Sequence, residues 1–558
     1  MNFKIKLFLI CTLIGANSFL ANSQNQNEGH VSGNVQMIFQ EYNPDSIIGA
    51  QVPPAKAAMN SFANINYVKG NFRAGTRFES YLNAQLGYPD RFSGTGIGYR
   101  YAGYTLDGLD ITVGNFYDQF GNGLVFRAYE ERQLGIDNAM DGIRVAYKLM
   151  DGIYLKAVYG KMRYTFNNGT VNSDGIVRGI DGEIQLNEMI KKLTDSKVII
   201  SMGGSFVSKY QQDDNPAYNL PENVGTWSGR TNIMYGNFSL NGEYAYKIND
   251  PSADNKYIYK PGQALLVNTN YAQKGLSISL DAKYVDNMSF RADRNAILTD
   301  LNINFLPALT KPHTYNLAAT LYPYATQPTG EVAYQGEVSY NFKKGTPLGG
   351  KHGTLITVNA SAAFSMDSTT ITDADPQLQG YSASFMIPGD QLYYQDIHVE
   401  LKKKINKKWS FVFMYLNLAY DNDINQGAYD NQGKATKGSI FSQIYIADVS
   451  YKIDNKNNLR MELQNLNTNQ HLGDWGTIVI EYTKSPHWFV AFMDQWNYGN
   501  KNAAERVHYL YGTVGYIKNA NRFSIGYGKQ RAGLFCVGGI CRTVPASNGL
   551  TFSLTSSF

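Results

Sequence analysis

Apolar and polar residues alternate with a period of two along much of this chain. The alternation is clearest in segments 143–149, 238–246, 276–284 and 332–342, where mostly apolar residues are separated by mostly polar or charged ones. Successive side chains of a β-strand point to opposite faces of a sheet, so this pattern predicts strands with one apolar and one polar face. The chain is therefore predicted to be all-β.

The last ten residues continue this pattern to the end of the chain. Leu550, Phe552 and Leu554 alternate with polar residues, and the final residue is the aromatic Phe558. An amphipathic last strand that ends on an aromatic residue is the usual ending of a bacterial outer-membrane β-barrel. We expect this strand to close the barrel by pairing with the first strand, which leaves no free sheet edge.

The connections between strands favour a membrane barrel over a soluble sandwich, which would show the same alternation. Short polar turns occur at 68–71, 150–152, 236–237, 404–407, 454–457 and 518–521. Longer polar segments lie at 84–92, 118–139, 208–225, 249–262, 289–330, 366–393, 422–437 and 531–546. Short periplasmic turns and long extracellular loops are typical of outer-membrane barrels. We predict one large antiparallel transmembrane β-barrel of roughly 18–24 strands.

The N-terminus predicts export. Lys4 and Lys6 precede the mainly apolar stretch from Leu7 to Leu20, and Ala21-Asn22-Ser23 offers small residues at a cleavage site. This arrangement is typical of a secretory signal peptide, predicted over residues 1–23, and 24–558 would form the barrel. No later segment approaches the run of apolar residues that a membrane-spanning helix needs. No separate plug domain is predicted before the barrel.

The composition agrees with a membrane barrel. Charged residues make up 17% of the chain and aromatic residues 13%, with 41 Tyr and 53 Gly. An apolar outer wall, aromatic girdles and a polar lumen require such a mixture. With 50 basic against 46 acidic residues, the charge balance gives no reason to expect nucleic acid as a partner. The predicted location is the outer membrane, with its lipid and, during insertion, the barrel-assembly machinery as partners.

A barrel of this size is too wide to be filled by its own wall side chains, so its lumen must hold water, loops or a partner. Charged residues on the polar faces of the strands are candidates for the pore lining: Arg73, Arg77, Glu79, Arg100, Arg144, Lys148, Glu243, Asp281, Lys283 and Glu337. Both signs of charge occur among them. They therefore predict a hydrated lumen without a clear ion selectivity.

The segment 114–141 is rich in charge for this chain and also carries aromatic residues. One interpretation is a solvated extracellular loop with aromatic side chains on its rim. The other is a loop folded into the lumen that narrows the pore with charges of both signs. Its constriction candidates are Asp118, Arg127, Glu130, Glu131 and Arg132.

Two cysteines remain after the predicted signal peptide. Cys536 and Cys541 flank Val-Gly-Gly-Ile in a turn-rich segment, and an exported chain meets an oxidising compartment. A disulfide is predicted; two free thiols are the alternative. The spacing is a poor zinc signal, and neither a metal site nor a cofactor is predicted.

Two runs resemble those of a known family. GNFYDQFGNGLVFRAYEERQLGIDNAMDGIRV and TPLGGKHGT are similar to runs in an uncharacterised, Bacteroidetes-type family of outer-membrane β-barrel proteins. The resemblance covers nearly the whole exported chain. It implies the fold and the location, and it offers no catalytic residue.

No enzyme motif accompanies these features, because none of the seven His lies in HExxH and no convincing GxSxG elbow occurs. We therefore expect no enzyme. The leading hypothesis is a porin-like channel for small polar solutes. The alternative is an accessory or receptor barrel, sealed by its own loops, in a multi-protein envelope complex for secretion, barrel assembly or glycan uptake.

Overall fold

The computed structural model describes residues 28–50, 52–373, 375–427, 436–537 and 540–558. The side chains of 376 and 534–542 are also outside the described part. The predicted signal peptide, residues 1–23, lies before the first described residue and stays a prediction. Within the described ranges, no helix is both long and apolar enough to span a membrane.

The alternating segments form one sheet of 24 strands. The strands are β1 (His30–Tyr42), β2 (Ala57–Lys69), β3 (Phe72–Leu82), β4 (Phe92–Leu106), β5 (Leu109–Phe116), β6 (Met140–Met150), β7 (Ile153–Asn167), β8 (Thr170–Gln185), β9 (Val198–Tyr210), β10 (Asn223–Tyr235), β11 (Phe238–Lys247), β12 (Gly262–Gln273), β13 (Leu276–Asp286), β14 (Gly330–Phe342), β15 (Thr354–Ile371), β16 (Gly380–Lys404), β17 (Trp409–Asp421), β18 (Ser439–Lys452), β19 (Asn457–Asn467), β20 (Trp475–Lys484), β21 (Trp488–Trp496), β22 (His508–Lys518), β23 (Asn521–Gln530) and β24 (Ser547–Ser557).

The first and last strands close the barrel. Met37 of β1 pairs with Leu554 of β24, and the backbone of Gly33 exchanges hydrogen bonds of 2.9 and 3.0 Å with Phe558. Each wall strand pairs in antiparallel register with its neighbours in the chain, so closure leaves no free edge. The predicted all-β antiparallel barrel is confirmed, with a strand number at the upper limit of the predicted range.

The apolar faces of the strands point outward. Around the barrel, the side chains that are 50–60% exposed include Ile97, Leu280, Phe441 and Tyr527. A continuous apolar outer surface is rare on a soluble monomer but necessary against hydrocarbon. The alternation of the sequence therefore produces a lipid-facing belt.

The connections differ between the two ends of the barrel. At the turn end most are tight. The exceptions are 343–353 and 186–197, which contains the helix Leu186–Met189 and the 3-10 turn Lys191–Leu193. The loop end carries the longer connections, with helices Asn316–Thr320 and Asn422–Gln426 and 3-10 turns Ala253–Asn255, Pro376–Leu378 and Ala503–Glu505. Among the described residues, the loop end also has six short strands that form three pairs: Asp118–Gln119 with Arg127–Ala128, Glu130–Glu131 with Ile136–Asp137, and Gly533–Val537 with Ile540–Val544.

One predicted loop is largely strand. Segment 366–393 continues β15 and β16 beyond the barrel wall, with irregular register between Phe364 and Ser368. The hairpin bends over the outer wall, where Phe385 packs edge-on against Tyr284 at 4.9 Å and Tyr334 Oη donates to Met386 O at 3.1 Å. Polar residues on one face of this hairpin made it look like a loop in the sequence.

The hydrophobic core lies inside the lumen. Two loops supply much of it: the first plug loop, residues 117–139, and the second plug loop, residues 287–329. Their fully buried side chains pack against inward-facing apolar residues of the wall, and this core includes Phe120, Phe126, Phe290, Leu317, Val207, Val285, Leu416 and Trp475. The loop end of the lumen is thus packed like a protein interior.

Candidate functional site

The two plug loops meet across the lumen. The amide of Arg127 donates to Ile303 O at 2.7 Å, and the amide of Phe305 donates to Gly123 O at 2.9 Å. The Arg127 guanidinium stacks 4.0 Å from the centre of the Phe305 ring. These contacts join segments far apart in the sequence into one plug.

Charged side chains fix the first plug loop to the wall. Asp118 accepts from Lys156 Nζ at 2.9 Å and from Arg144 Nε at 2.5 Å. Burial raises the pKa of Asp118, but its bonds to these two cations outweigh burial and hold that pKa below its ordinary value. The amide of Asn122 donates to Glu243 Oε2 at 2.6 Å on β11.

A buried network joins the same loop to β3 and β7. Arg163 Nη2 contacts Glu79 Oε2 at 2.7 Å, and its Nη1 contacts Asp137 Oδ2 of the loop at 2.7 Å. Arg77 lies between the same two carboxylates and also contacts Glu130 at 3.0 Å. The side chains of Arg163 and Glu79 are fully buried, so the charges depend on one another for stabilisation. For Glu130 on the loop, burial raises the pKa.

The second plug loop contacts the opposite part of the wall. Lys311 pairs with Glu337 at 2.5 Å, and the Leu317 amide donates to Gln464 Oε1 at 2.8 Å. Further polar partners of this loop are Asp448, Gln495 and Arg531. The loop therefore extends from its own strands across the lumen to β18, β19 and β21.

The turn end of the lumen is more open. Along β10 the inward side chains change from Val224, at 1% exposure, to Met234, at 41%. Partly exposed ion pairs line this region, including Arg73 with Asp110 at 2.7 Å and Arg230 with Asp181 at 2.7 Å. This turn-end part of the lumen, between the plug and the short turns, is a polar vestibule that carries both signs of charge.

Nine of the ten pore-lining candidates occupy the lumenal face of the wall: Arg73, Arg77, Glu79, Arg144, Lys148, Glu243, Asp281, Lys283 and Glu337. Several are covered by the plug rather than exposed to an open pore. Lys283, for example, pairs with Glu331 at 2.6 Å and donates to Pro307 O at 2.7 Å.

The prediction for Arg100 is wrong. Arg77 pairs with Tyr99 and Thr76 with Arg100, so Arg100 lies on the outer face of β4. A register shift between Arg77 and Phe78 inserts one extra residue into β4, and this brings Tyr99 to the lumenal position, where it stacks on Tyr117 of the first plug loop at 5.3 Å. The Arg100 guanidinium instead approaches Asp141 at 3.5 Å.

The constriction candidates lie on the first plug loop, inside the lumen rather than in a solvated loop. Beyond the contacts of Asp118, Arg127 and Glu130, Arg132 pairs with Glu130 at 2.7 Å and covers the Phe62 ring at 4.4 Å. Glu131 accepts from the amide of Gln133 at 3.2 Å.

The predicted disulfide falls on the hairpin at the loop end. Cys536 is directly opposite Cys541 in the backbone register. Their side chains lie outside the described part of the structure, and the disulfide stays a prediction.

The structure brings together one cluster that the sequence analysis missed. His313 of the second plug loop meets Asp396 and His398 of β16 in the lumen. The alternate spacing of Asp396 and His398 was a local signal for a shared face, but nothing local indicated His313 as their partner.

Comparison with solved structures gives distant similarities. The siderophore receptor PirA from Pseudomonas aeruginosa is 9% identical, with 95% of this chain and 80% of that chain covered and a TM-score of 0.40. The outer membrane protein opdK from the same organism is 10% identical, with 84% and 99% covered and a TM-score of 0.36. The copper transporter OprC is 8% identical, with 96% and 81% covered and a TM-score of 0.37.

These similarities are too low to indicate a ligand. No curated protein matches the chain in sequence. The resemblance of its charged lumenal segment and its Gly-rich turn to an uncharacterised family is confirmed by a match over residues 2–558, and the chain belongs to the family of unknown function DUF6029.

Proposed function

We propose that this protein is an outer-membrane transport barrel, porin-like in conducting small polar solutes, and closed at rest by its two plug loops. The observation that carries the proposal is the backbone contact between the loops, Arg127 N to Ile303 O and Phe305 N to Gly123 O. Because each loop is also bound to the wall, solutes cross only when this plug shifts.

The lipid-facing belt supports residence in the outer membrane. A closed barrel satisfies every backbone group of its wall internally, which hydrocarbon requires. Membrane lipid and, during insertion, the barrel-assembly machinery are the partners that this architecture needs. With the short turns facing the periplasm, the vestibule opens to the periplasm and the plug faces the cell exterior.

The chemistry of the vestibule supports polar solutes. Arg460, for example, lies between Asp448 at 2.9 Å and Glu481 at 2.7 Å, about a quarter exposed. Neighbouring charges of opposite sign keep the lumen hydrated without favouring cations or anions. We therefore expect weak ion selectivity.

Single-channel recording tests the proposal. Purified wild-type protein in planar bilayers is compared with a variant in which residues 302–325, which include both contacts to the first plug loop, are replaced by a short Gly-Ser linker. The matched control carries the same kind of linker in place of 501–506, an exposed loop-end segment outside the plug core. We expect brief, small conductances from the wild type and the control, and large steady conductance from the plug variant.

Two results would contradict the proposal of a channel closed by its plug loops. Large steady conductance of the wild type would mean that the loops are no barrier. Silence of the plug variant, with an intact barrel shown by heat-modifiable migration, would exclude transport through this lumen.

The outer hairpin favours a second candidate, an accessory or receptor barrel in an envelope complex. Residues 380–388 lie on the outer wall and expose Phe385 at 49% and Ile387 at 52%, which suits contact with another envelope protein. Mild detergent extraction followed by mass spectrometry tests this candidate. Recovery of the chain only alone or as a homo-oligomer would argue against it.

A further inference from the structure

Three side chains in the lumen have the composition and the spacing of a transition-metal site. Asp396 Oδ2 lies 2.5 Å from His313 Nε2, and Asp396 Oδ1 lies 2.7 Å from His398 Nδ1. The two imidazole rings are 5.1 Å apart and inclined at 68°. One ligand atom from each of the three residues lies within 4.8 Å of the others.

The cluster is sealed from solvent. The side chains of His313, Asp396 and His398 are 4%, 0% and 2% exposed. Among the described residues, Asp396 forms its ion pairs only with these two histidines, and Lys311 nearby is already paired with Glu337. A buried carboxylate needs a compensating cation, which here is either a protonated imidazole or a bound metal.

Two unpartnered polar groups lie beside the cluster. Ser361 is directly opposite Asp396 and Asn359 is directly opposite His398 in the pairing of β15 with β16. Both are almost fully buried, and Ser361 Oγ and Asn359 Nδ2 have no hydrogen-bond partner. Buried polar groups are nearly always satisfied by protein or by ordered water. A metal bound by three protein ligands keeps a water in its fourth position, which would donate a hydrogen bond to Ser361 Oγ.

We infer that His313, Asp396 and His398 bind one divalent first-row transition-metal ion, with Zn²⁺ as the probe. Two imidazoles and one carboxylate suit Zn²⁺ and its neighbours, whereas Ca²⁺ and Mg²⁺ prefer oxygen ligands alone. Two ligand atoms that are each about 2.0–2.2 Å from one tetrahedral ion lie roughly 3.3 Å apart. The separations of 2.5 and 2.7 Å between Asp396 and the two histidines therefore widen by more than half an ångström when the ion binds. The ion joins the second plug loop to the wall.

Metal retention tests this site. The full chain is refolded into detergent micelles in the presence of Zn²⁺, so that burial does not prevent entry, and excess metal is removed before elemental analysis. We expect about one ion per chain in the wild type and at least a tenfold loss in His313→Ala and in His398→Ala. The matched control is His508→Ala, which disrupts a His–Asp pair of the same 2.7 Å length that lacks a second histidine. It should retain the metal.

Folding of each variant is checked by heat-modifiable migration. A second measurement does not depend on variants: Co²⁺ in the wild type should give the visible absorption of a four- or five-coordinate nitrogen and oxygen site. Absence of retained Zn²⁺ in the folded wild type would overturn the inference, and so would full retention by both histidine variants. Either result can be read whether or not the barrel conducts.

Discussion

Replacing Arg163 by methionine should loosen the first plug loop. Arg163 bridges Glu79 of the wall and Asp137 of the loop at 2.7 Å each, and its side chain is fully buried. Removing one member of a buried ion pair costs about 3–5 kcal/mol, because a charge is left uncompensated. Arg77 still contacts both carboxylates, so we expect the lower value, about 3 kcal/mol, which corresponds to roughly a hundredfold.

Hydrogen–deuterium exchange of the protein in micelles measures this change. When the loop opens, Asp137 and Glu79 reach water, so the free energy of opening should fall and peptides from 127–139 should exchange roughly a hundredfold faster. The matched control is Arg230→Met. Arg230 pairs with Asp181 and Glu183, with 10% of its side chain exposed, and among the described residues its hydrogen bonds and ion pairs are to the wall.

The reasoning would be refuted by unchanged exchange of 127–139 in a correctly folded Arg163→Met barrel. Equal acceleration in Arg230→Met would also refute it, since the effect would then come from general loss of charge. Heat-modifiable migration establishes that each barrel is folded.

Three further predictions concern the loop end. The pKa of Asp118 is lowered, so the contribution of its carboxylate to loop stability is complete above the ordinary pKa of about 4 and is lost as pH falls through the lower pKa. Bilayer conductance of the wild type should therefore rise only in strongly acidic solution. The Asp118→Asn variant should conduct already at neutral pH. Leu317→Ala, at a fully buried plug position, should lower the free energy of loop opening in hydrogen exchange by about 2–5 kcal/mol, whereas Leu298→Ala, 80% exposed on the same loop, should change it little. Mass spectrometry of the unreduced protein should find Cys536 and Cys541 joined; two alkylated thiols would contradict the disulfide.

The wall could be predicted from the sequence because its cause is local. Alternation decides which side chains face lipid, and the ending at Phe558 indicates closure, so the barrel follows from neighbouring residues. The prediction fails at Arg100, because a register shift in β4 interrupts the alternation and puts Tyr99 in the lumen instead. It also fails at 366–393, where the strands continue beyond the wall.

The lumenal plug could be predicted only in part. The high charge of the first plug loop was visible, and one interpretation had it inside the barrel. The sequence predicts the second plug loop only as a long polar segment, 289–330. Its contacts depend on residues far along the chain, such as Gln464 for Leu317. The cluster of His313, Asp396 and His398 could not be predicted for the same reason, since His313 and Asp396 are 83 residues apart.

Neither plug loop is a removable part. The first connects β5 to β6 and the second connects β13 to β14, so each is anchored at both ends to neighbouring strands. Expulsion into the periplasm, which a plug domain at one chain terminus could undergo, would here require wall strands to separate. Any passage must therefore form by rearrangement within the ring. During biogenesis, each loop has to reach its place in the lumen while both of its ends stay in the wall.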